Sequence, residues 1–133
     1  TMVLVHDGAR PFVSERMLRE LIAGAARHGG AVPVQRVCST VKLGGTGNLV
    51  RKTLRRERIF LAQTPQVFRR SVIEAAYRQA QERDAAFLTD DAMVVERAGG
   101  TVALREGSAF NIKITVPEDL AMARMILTKH KGG

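Results

Sequence analysis

An apolar run, Met2-Val3-Leu4-Val5, breaks into His6-Asp7-Gly8-Ala9-Arg10-Pro11. A β-branched-rich run without polar alternation reads as a strand covered on both faces, as in parallel sheets. Such a strand needs neighbours on either side and helices above and below. A carboxylate, a glycine and an arginine then arrive together where the strand ends. In open α/β sheets, ligands bind outside the carboxyl ends of strands. Asp7 can hold a divalent metal, Gly8 lets backbone approach a ligand, and Arg10 can clamp a phosphate. The simpler alternative is a turn in which Asp7 and Arg10 pair with each other.

The segments that follow supply the covering helices. Ser14 is placed to cap a helix whose apolar stripe is Met17, Leu18, Leu21, Ile22, Ala25 and Ala26, ended by Gly29-Gly30. Ala31 to Val37 reads as a strand, and Pro33 places it at an edge or an end. Thr40-Val41-Lys42, the turn cluster Gly44 to Asn48, and Leu49 to Leu54 read as a hairpin. Ile59 to Ala62 is a further strand. An isolated two-stranded hairpin is marginal in water, so the 39–59 arm is expected to lie on a partner subunit. Arg51, Lys52, Arg55, Arg56 and Arg58 crowd it. Most read as a solvated basic face, with one or two free to reach a phosphate.

Beyond the arm, Thr64-Pro65-Gln66 sits at a strand edge, with Pro65 holding Thr64 out of the helical region. Ser71 and Glu74 are spaced as a capping box, before the stripe Val72, Ile73, Ala76, Tyr77 and Ala80. Thr89 is expected to cap the next helix, which Gly99-Gly100 closes. Thr101 to Leu104 and Asn111 to Ile114 read as strands. Lys113, between Ile112 and Ile114, must face solvent or a fixed anion in a cleft. Thr115 and Glu118 form a second box, with Pro117 in the first turn of a final helix carrying Leu120, Ala123, Met125, Ile126 and Leu127. Lys129 and Lys131 suit that helix's C-terminal dipole.

This order predicts an α/β fold: a Rossmann-like, mostly parallel sheet flanked by helices, with a protruding β-hairpin arm. The 133 residues make a single domain. No run approaches a membrane span, and the single cysteine, Cys38, excludes an internal disulfide and fits a reducing, cytoplasmic compartment. A buried strand begins immediately after Thr1, which is not an initiating Met, so the chain reads as a segment of a longer protein or a processed one. The net charge of +8 implies anionic partners. With six aromatic residues, one Tyr and five Phe, and no recognition motif, nucleic acid is the weaker choice among them.

The candidate polar groups are Asp7, Arg10, Thr40, Arg56, Thr64, Thr89 and Lys113. They contain no Ser/His/Asp or Cys/His grouping, and neither the P-loop nor the dinucleotide glycine motif occurs. One carboxylate with hydroxyls and cations suits transfer chemistry on phosphate, where positioning and charge neutralisation carry catalysis.

Val5-His6-Asp7-Gly8-Ala9-Arg10-Pro11, Thr40-Val41-Lys42, Gln63-Thr64-Pro65-Gln66-Val67-Phe68, Thr89-Asp90-Asp91-Ala92 and Asn111 to Leu120 occur in an order and spacing that resemble the 2-C-methyl-D-erythritol 4-phosphate cytidylyltransferases. The resemblance runs through essentially the whole chain and matches the later part of that domain. The family's early glycine-rich nucleotide loop has no counterpart here, so residues 1–133 alone are expected to be inactive. Gly8 stands where many relatives are expected to carry Ala.

The resemblance implies transfer of a cytidylyl group from CTP to the sugar-alcohol phosphate, with Mg²⁺ as cofactor and pyrophosphate released, in non-mevalonate isoprenoid synthesis. It implies Asp7 at the metal and substrate, Arg10 on the substrate phosphate, and Thr64, Thr89 and Lys113 lining that site, Lys113 positioning the substrate for attack. It implies a homodimer through the 39–59 arm, with Thr40 and Arg56 reaching the neighbouring subunit's site. Spacing to Thr64 selects Arg56, with Arg55 and Arg58 as adjacent registers. Open alternatives are a ribitol-5-phosphate cytidylyltransferase and an inactive dimerisation or regulatory module.

Overall fold

The computed structural model describes residues 1–80 and 88–130. In chain order the elements are β1 (Met2–Val5), α1 (Glu15–His28), β2 (Gly29–Arg36), β3 (Val41–Gly44), β4 (Val50–Leu54), β5 (Phe60–Ala62), β6 (Gln66–Arg69), α2 (Arg70–Gln79), α3 (Asp91–Arg97), β7 (Thr101–Glu106) and α4 (Pro117–His130). Lys131 and the terminal glycines lie outside the described residues. Among those described, no helix is long and apolar enough to cross a membrane.

The main sheet is built on β2. β6 pairs antiparallel with both β1 (Leu4 opposite Val67) and the start of β2 (Ala31 opposite Val67). β5 pairs antiparallel with the end of β2, Val34 opposite Ala62, and β7 runs parallel along its other side, Ala31 opposite Ala103. So β1, β2 and β7 share one direction and β5 and β6 run against it; the β2–β7 pairing is parallel, and the β1–β6, β2–β6 and β2–β5 pairings are antiparallel. The carboxyl ends of β1, β2 and β7 therefore fall at one edge of the sheet.

Strand alternation sends adjacent residues to opposite faces, and Val67 and Phe68 seed two cores. On one face Val67 and Ala31 pack with Met17, Leu21 and Ala25 of α1. On the other, Phe68 packs with Ile73 and Ala76 of α2 and Ala92, Val94 and Val95 of α3. The α1 stripe is narrower than its sequence suggests: Ile22 is 45% exposed, and Gly24 takes a buried place instead. Ser14 caps α1 by accepting from the Met17 N–H, a bond worth about 1 kcal/mol. Gly29, at φ 103°, ends it and passes the chain directly into β2.

Pro33 overturns one expectation. It lies inside the central strand, fully buried, not at an edge. It is tolerated because its missing donor faces the point where β2 changes neighbour from β6 to β5. Its carbonyl is still used there, accepting from the Gln63 N–H at 2.8 Å.

The arm continues the β2–β5 pair outward. β3 and β4 pair antiparallel, Val41 opposite Leu54. The arm's base is closed by Arg36 over the Phe60 ring, 5.4 Å from its centroid. Towards the tip, Leu49 and Val50 are 71% and 63% exposed.

Four further local expectations change. Asn111 to Ile114 is not a strand; the Ile114 N–H donates to the Ala9 carbonyl at 2.9 Å. Ser71 caps nothing: α2 starts at Arg70 with no side-chain cap, and Glu74 pairs with Arg70 at 2.6 Å. Asp90 rather than Thr89 caps α3. Asp119, not Glu118, closes the α4 entry, accepting from the Thr115 and Val116 N–H groups at 2.8 and 3.1 Å.

Candidate active site

At the end of β1 the chain turns sharply, with the Arg10 N–H donating to the Asp7 carbonyl at 3.0 Å. The turn puts both side chains on one side. Arg10 Nε lies 3.3 Å from Asp7 Oδ2 and its Nη1 donates to the Asn111 carbonyl at 2.7 Å. Lys113, carried on the loop that Arg10 and Ala9 hold, brings Nζ to 3.1 Å from the same Oδ2. The lysine between two isoleucines therefore points at a fixed anion. For Asp7 and Arg10 the simpler alternative holds: they pair with each other, and the pair sits inside a wider polar cluster.

Thr64 joins the cluster from the loop between β5 and β6. Its Oγ1 accepts from the Asp7 N–H at 2.9 Å and lies 2.9 Å from His6 Nδ1. Two buried amides hold that loop. Gln63 donates to the Ser108 carbonyl at 2.9 Å, and Asn111 donates to the Thr64 carbonyl at 2.8 Å. Asn111 Oδ1 is buried without a hydrogen-bond partner among the described residues.

The hydrogen bond from Lys113 holds the Asp7 carboxyl below its ordinary 3.8; partial burial opposes it, and Arg10 adds to the lowering. Asp7 is thus ionised throughout the neutral range. One carboxylate between two cations leaves a net positive cluster, suited to a phosphate-bearing ligand. Among the described residues no group of three or more His, Cys, Asp or Glu converges on a metal position.

The model of the 2-C-methyl-D-erythritol 4-phosphate cytidylyltransferase family matches residues 1–129. The chain belongs to this family. A cytidylyltransferase of that name from Syntrophus aciditrophicus is 45% identical over 98% of this chain and 56% of its own length. Another, from Geobacillus thermodenitrificans, is 47% identical over 95% of this chain and 54% of its own length. The chain thus spans just over half the length of these curated relatives. Among solved structures, the Thermus thermophilus cytidylyltransferase superimposes with a TM-score of 0.83 at 39% identity, over 96% of this chain and 62% of that one. The Francisella tularensis enzyme gives 0.84 at 37% identity, over 94% and 58%.

Of the residues that the family resemblance singles out, Asp7, Arg10, Thr64 and Lys113 meet directly. Thr89 is one step removed. Its neighbour Asp90 accepts at 2.8 Å from Gln66, two residues past Thr64. Thr40 and Arg56 lie at the base of the arm, where Arg56 donates to the Cys38 carbonyl. No hydrogen bond or ion pair joins either to the Asp7 cluster among the described residues. His6, Gln63 and Asn111 also belong to the site, which their sequence positions do not announce. The sole signal for His6 was its place beside Asp7; the buried amides gave none, because their partners are remote in sequence.

Proposed function

We propose that this chain contributes the sugar-alcohol-phosphate half of the active site in a cytidylyl transfer from CTP to 2-C-methyl-D-erythritol 4-phosphate. The observation that carries the reading is the convergence of Lys113 and Arg10 on Asp7, with Thr64 on the Asp7 backbone. An oxygen of the substrate phosphate bonds to the α-phosphorus of CTP. The bond from that phosphorus to the bridging oxygen breaks, and pyrophosphate leaves with the electron pair. Two anions must approach each other, so the protein's task is positioning and charge compensation, with no protein nucleophile. Arg10, its side chain only 14% exposed, is a fixed clamp for the substrate phosphate. Lys113, 47% exposed and flexible, follows the attacking oxygen.

Asp7 engages both cations through Oδ2, so its bonds among the described residues leave Oδ1 to other ligands. A single carboxylate fits a magnesium ion held mostly by nucleotide phosphates and water. Asp7 would hold that ion, which supplies charge neutralisation on the triphosphate when bound. The exposed apolar tip of the arm supports pairing with a second copy in a homodimer. Thr40 and Arg56, carried on that arm, would then serve the partner's site, with Arg56 on the substrate phosphate.

The test is pyrophosphate release from CTP in the active protein with 2-C-methyl-D-erythritol 4-phosphate, against ribitol 5-phosphate. Turnover of the former and its loss in Lys113→Ala support the reading. Preference for the latter, or an unaffected Lys113→Ala, overturns it.

A further inference from the structure

The His6 ring is held at both nitrogens. Nε2 lies 2.9 Å from the Arg10 carbonyl oxygen, and Nδ1 lies 2.9 Å from Thr64 Oγ1. A carbonyl oxygen can only accept, so Nε2 must carry a hydrogen. In the neutral ring, which has one N–H, Nδ1 is then bare and can only accept. The hydroxyl hydrogen of Thr64 must then point at His6. Thr64 Oγ1 also accepts from the Asp7 N–H at 2.9 Å. A hydroxyl has one donor and two lone pairs. The donor and one lone pair are committed, and what remains for a ligand is one acceptor.

We infer that His6 is a positioning residue that fixes the polarity of Thr64, so that Thr64 takes a hydrogen bond from a substrate hydroxyl and cannot give one to a phosphate. Phosphate oxygens only accept, so an acceptor at Thr64 turns the phosphate away, towards Arg10 and Lys113. The sugar-alcohol end is then the part that Thr64 reads. The ligand class rests on the proposed transfer to a sugar-alcohol phosphate; the hydroxyl polarity does not.

Two measurements test this at one fixed pH. The first is nitrogen–proton correlation NMR of the ring, with the His6 signals assigned by their loss in His6→Gln. A protonated Nε2 with an unprotonated Nδ1 is expected; the opposite tautomer, or protons on both nitrogens, overturns the inference. The second compares two replacements in the active protein. Asn can place its carbonyl oxygen where Nδ1 was and still accept from Thr64. Gln reaches the Nε2 position and keeps only the tie to Arg10. Fixed polarity predicts that His6→Gln raises the KM for the sugar-alcohol phosphate about fivefold, with the KM for CTP unchanged and His6→Asn recovering most of the loss. A purely structural tie predicts the reverse order, and that result, or equal effects, overturns the inference. If the unmodified protein shows no such turnover, the transfer reading fails, and the ring tautomer still decides the polarity of Thr64.

Discussion

Lys113 Nζ and Asp7 Oδ2 stand 3.1 Å apart although they come from opposite ends of the chain. The contact joins the carboxylate at the edge of the sheet to a cation and favours its ionised form. Because the folded carboxyl is held below its ordinary value, the ionised form is favoured by folding. That contribution is complete above about pH 4 and is lost as the pH falls through the lowered folded value. Replacing Lys113 by Ala should raise the Asp7 titration midpoint back towards 3.8, read from the side-chain carboxyl resonance. An unmoved midpoint would show that the lysine is not what holds it.

Arg56 gives a separable prediction. A hydrogen bond to a charged group is worth about 1.5–3 kcal/mol. Arg56→Ala should therefore weaken use of the sugar-alcohol phosphate at least about tenfold, with the KM for CTP nearly unchanged. Equal losses for both substrates would remove Arg56 from the phosphate.

Tyr77 is the chain's one tyrosine. Its hydroxyl donates to Asp91 Oδ1 at 2.5 Å, and that bond pushes its pKa up to about 12, with burial adding to it. The near-ultraviolet phenolate absorbance should thus rise with a midpoint near 12, and Asp91→Asn should bring it down towards 10. The sign is opposite to that of Asp7. Folding favours the neutral phenol, so this stabilisation is whole below about pH 10 and is lost as the pH rises through the folded value.

Two glycines make a matched pair. A Cβ at Gly30 would stand 2.8 Å from Phe68 Cδ1 and 3.2 Å from Val102 Cγ2. Both belong to the core, so Gly30→Ala should cost about 1–3 kcal/mol in denaturant unfolding. At Gly8 a Cβ meets nothing within 4 Å, and Gly8→Ala should change stability by less than about 0.5 kcal/mol.

Gln66 joins the sheet to the α3 entry. It donates to Asp90 at 2.8 Å in a partly buried setting and accepts from the Ala92 N–H at 2.9 Å in a buried one. Gln66→Leu strands that N–H and should lower stability by about 1–3 kcal/mol. A thermal midpoint unchanged by the substitution would contradict the role given to this amide.

The sequence made legible what local pattern controls. β1, α1 with its Ser14 cap, and the hairpin arm follow from apolar spacing, caps and glycines. β6 was not legible: Gln66 looks polar, and its buried partners lie on α3. Asn111 to Ile114 alternates like a strand, yet no strand among the described residues pairs with it, and it is held through Ile114 on Ala9 and through Asn111 on Arg10 and Thr64. Thr89 and Asp90 are equal cap candidates by type. Asp90 takes the place because Gln66 also binds it. In the site, Lys113 betrayed itself by sitting between isoleucines. His6, Gln63 and Asn111 act through residues distant in sequence, which no local periodicity reports.

The chain leaves the body at Arg36 and re-enters at Phe60, positions that face each other in adjacent strands. The body therefore closes without reference to how far the excursion between them extends. Length and composition of that excursion are free to drift, or to be exchanged by design, while the Asp7 end of the sheet keeps its shape. The proposed pairing through Leu49 and Val50, and the reach of Thr40 and Arg56 towards another molecule, would feel the change.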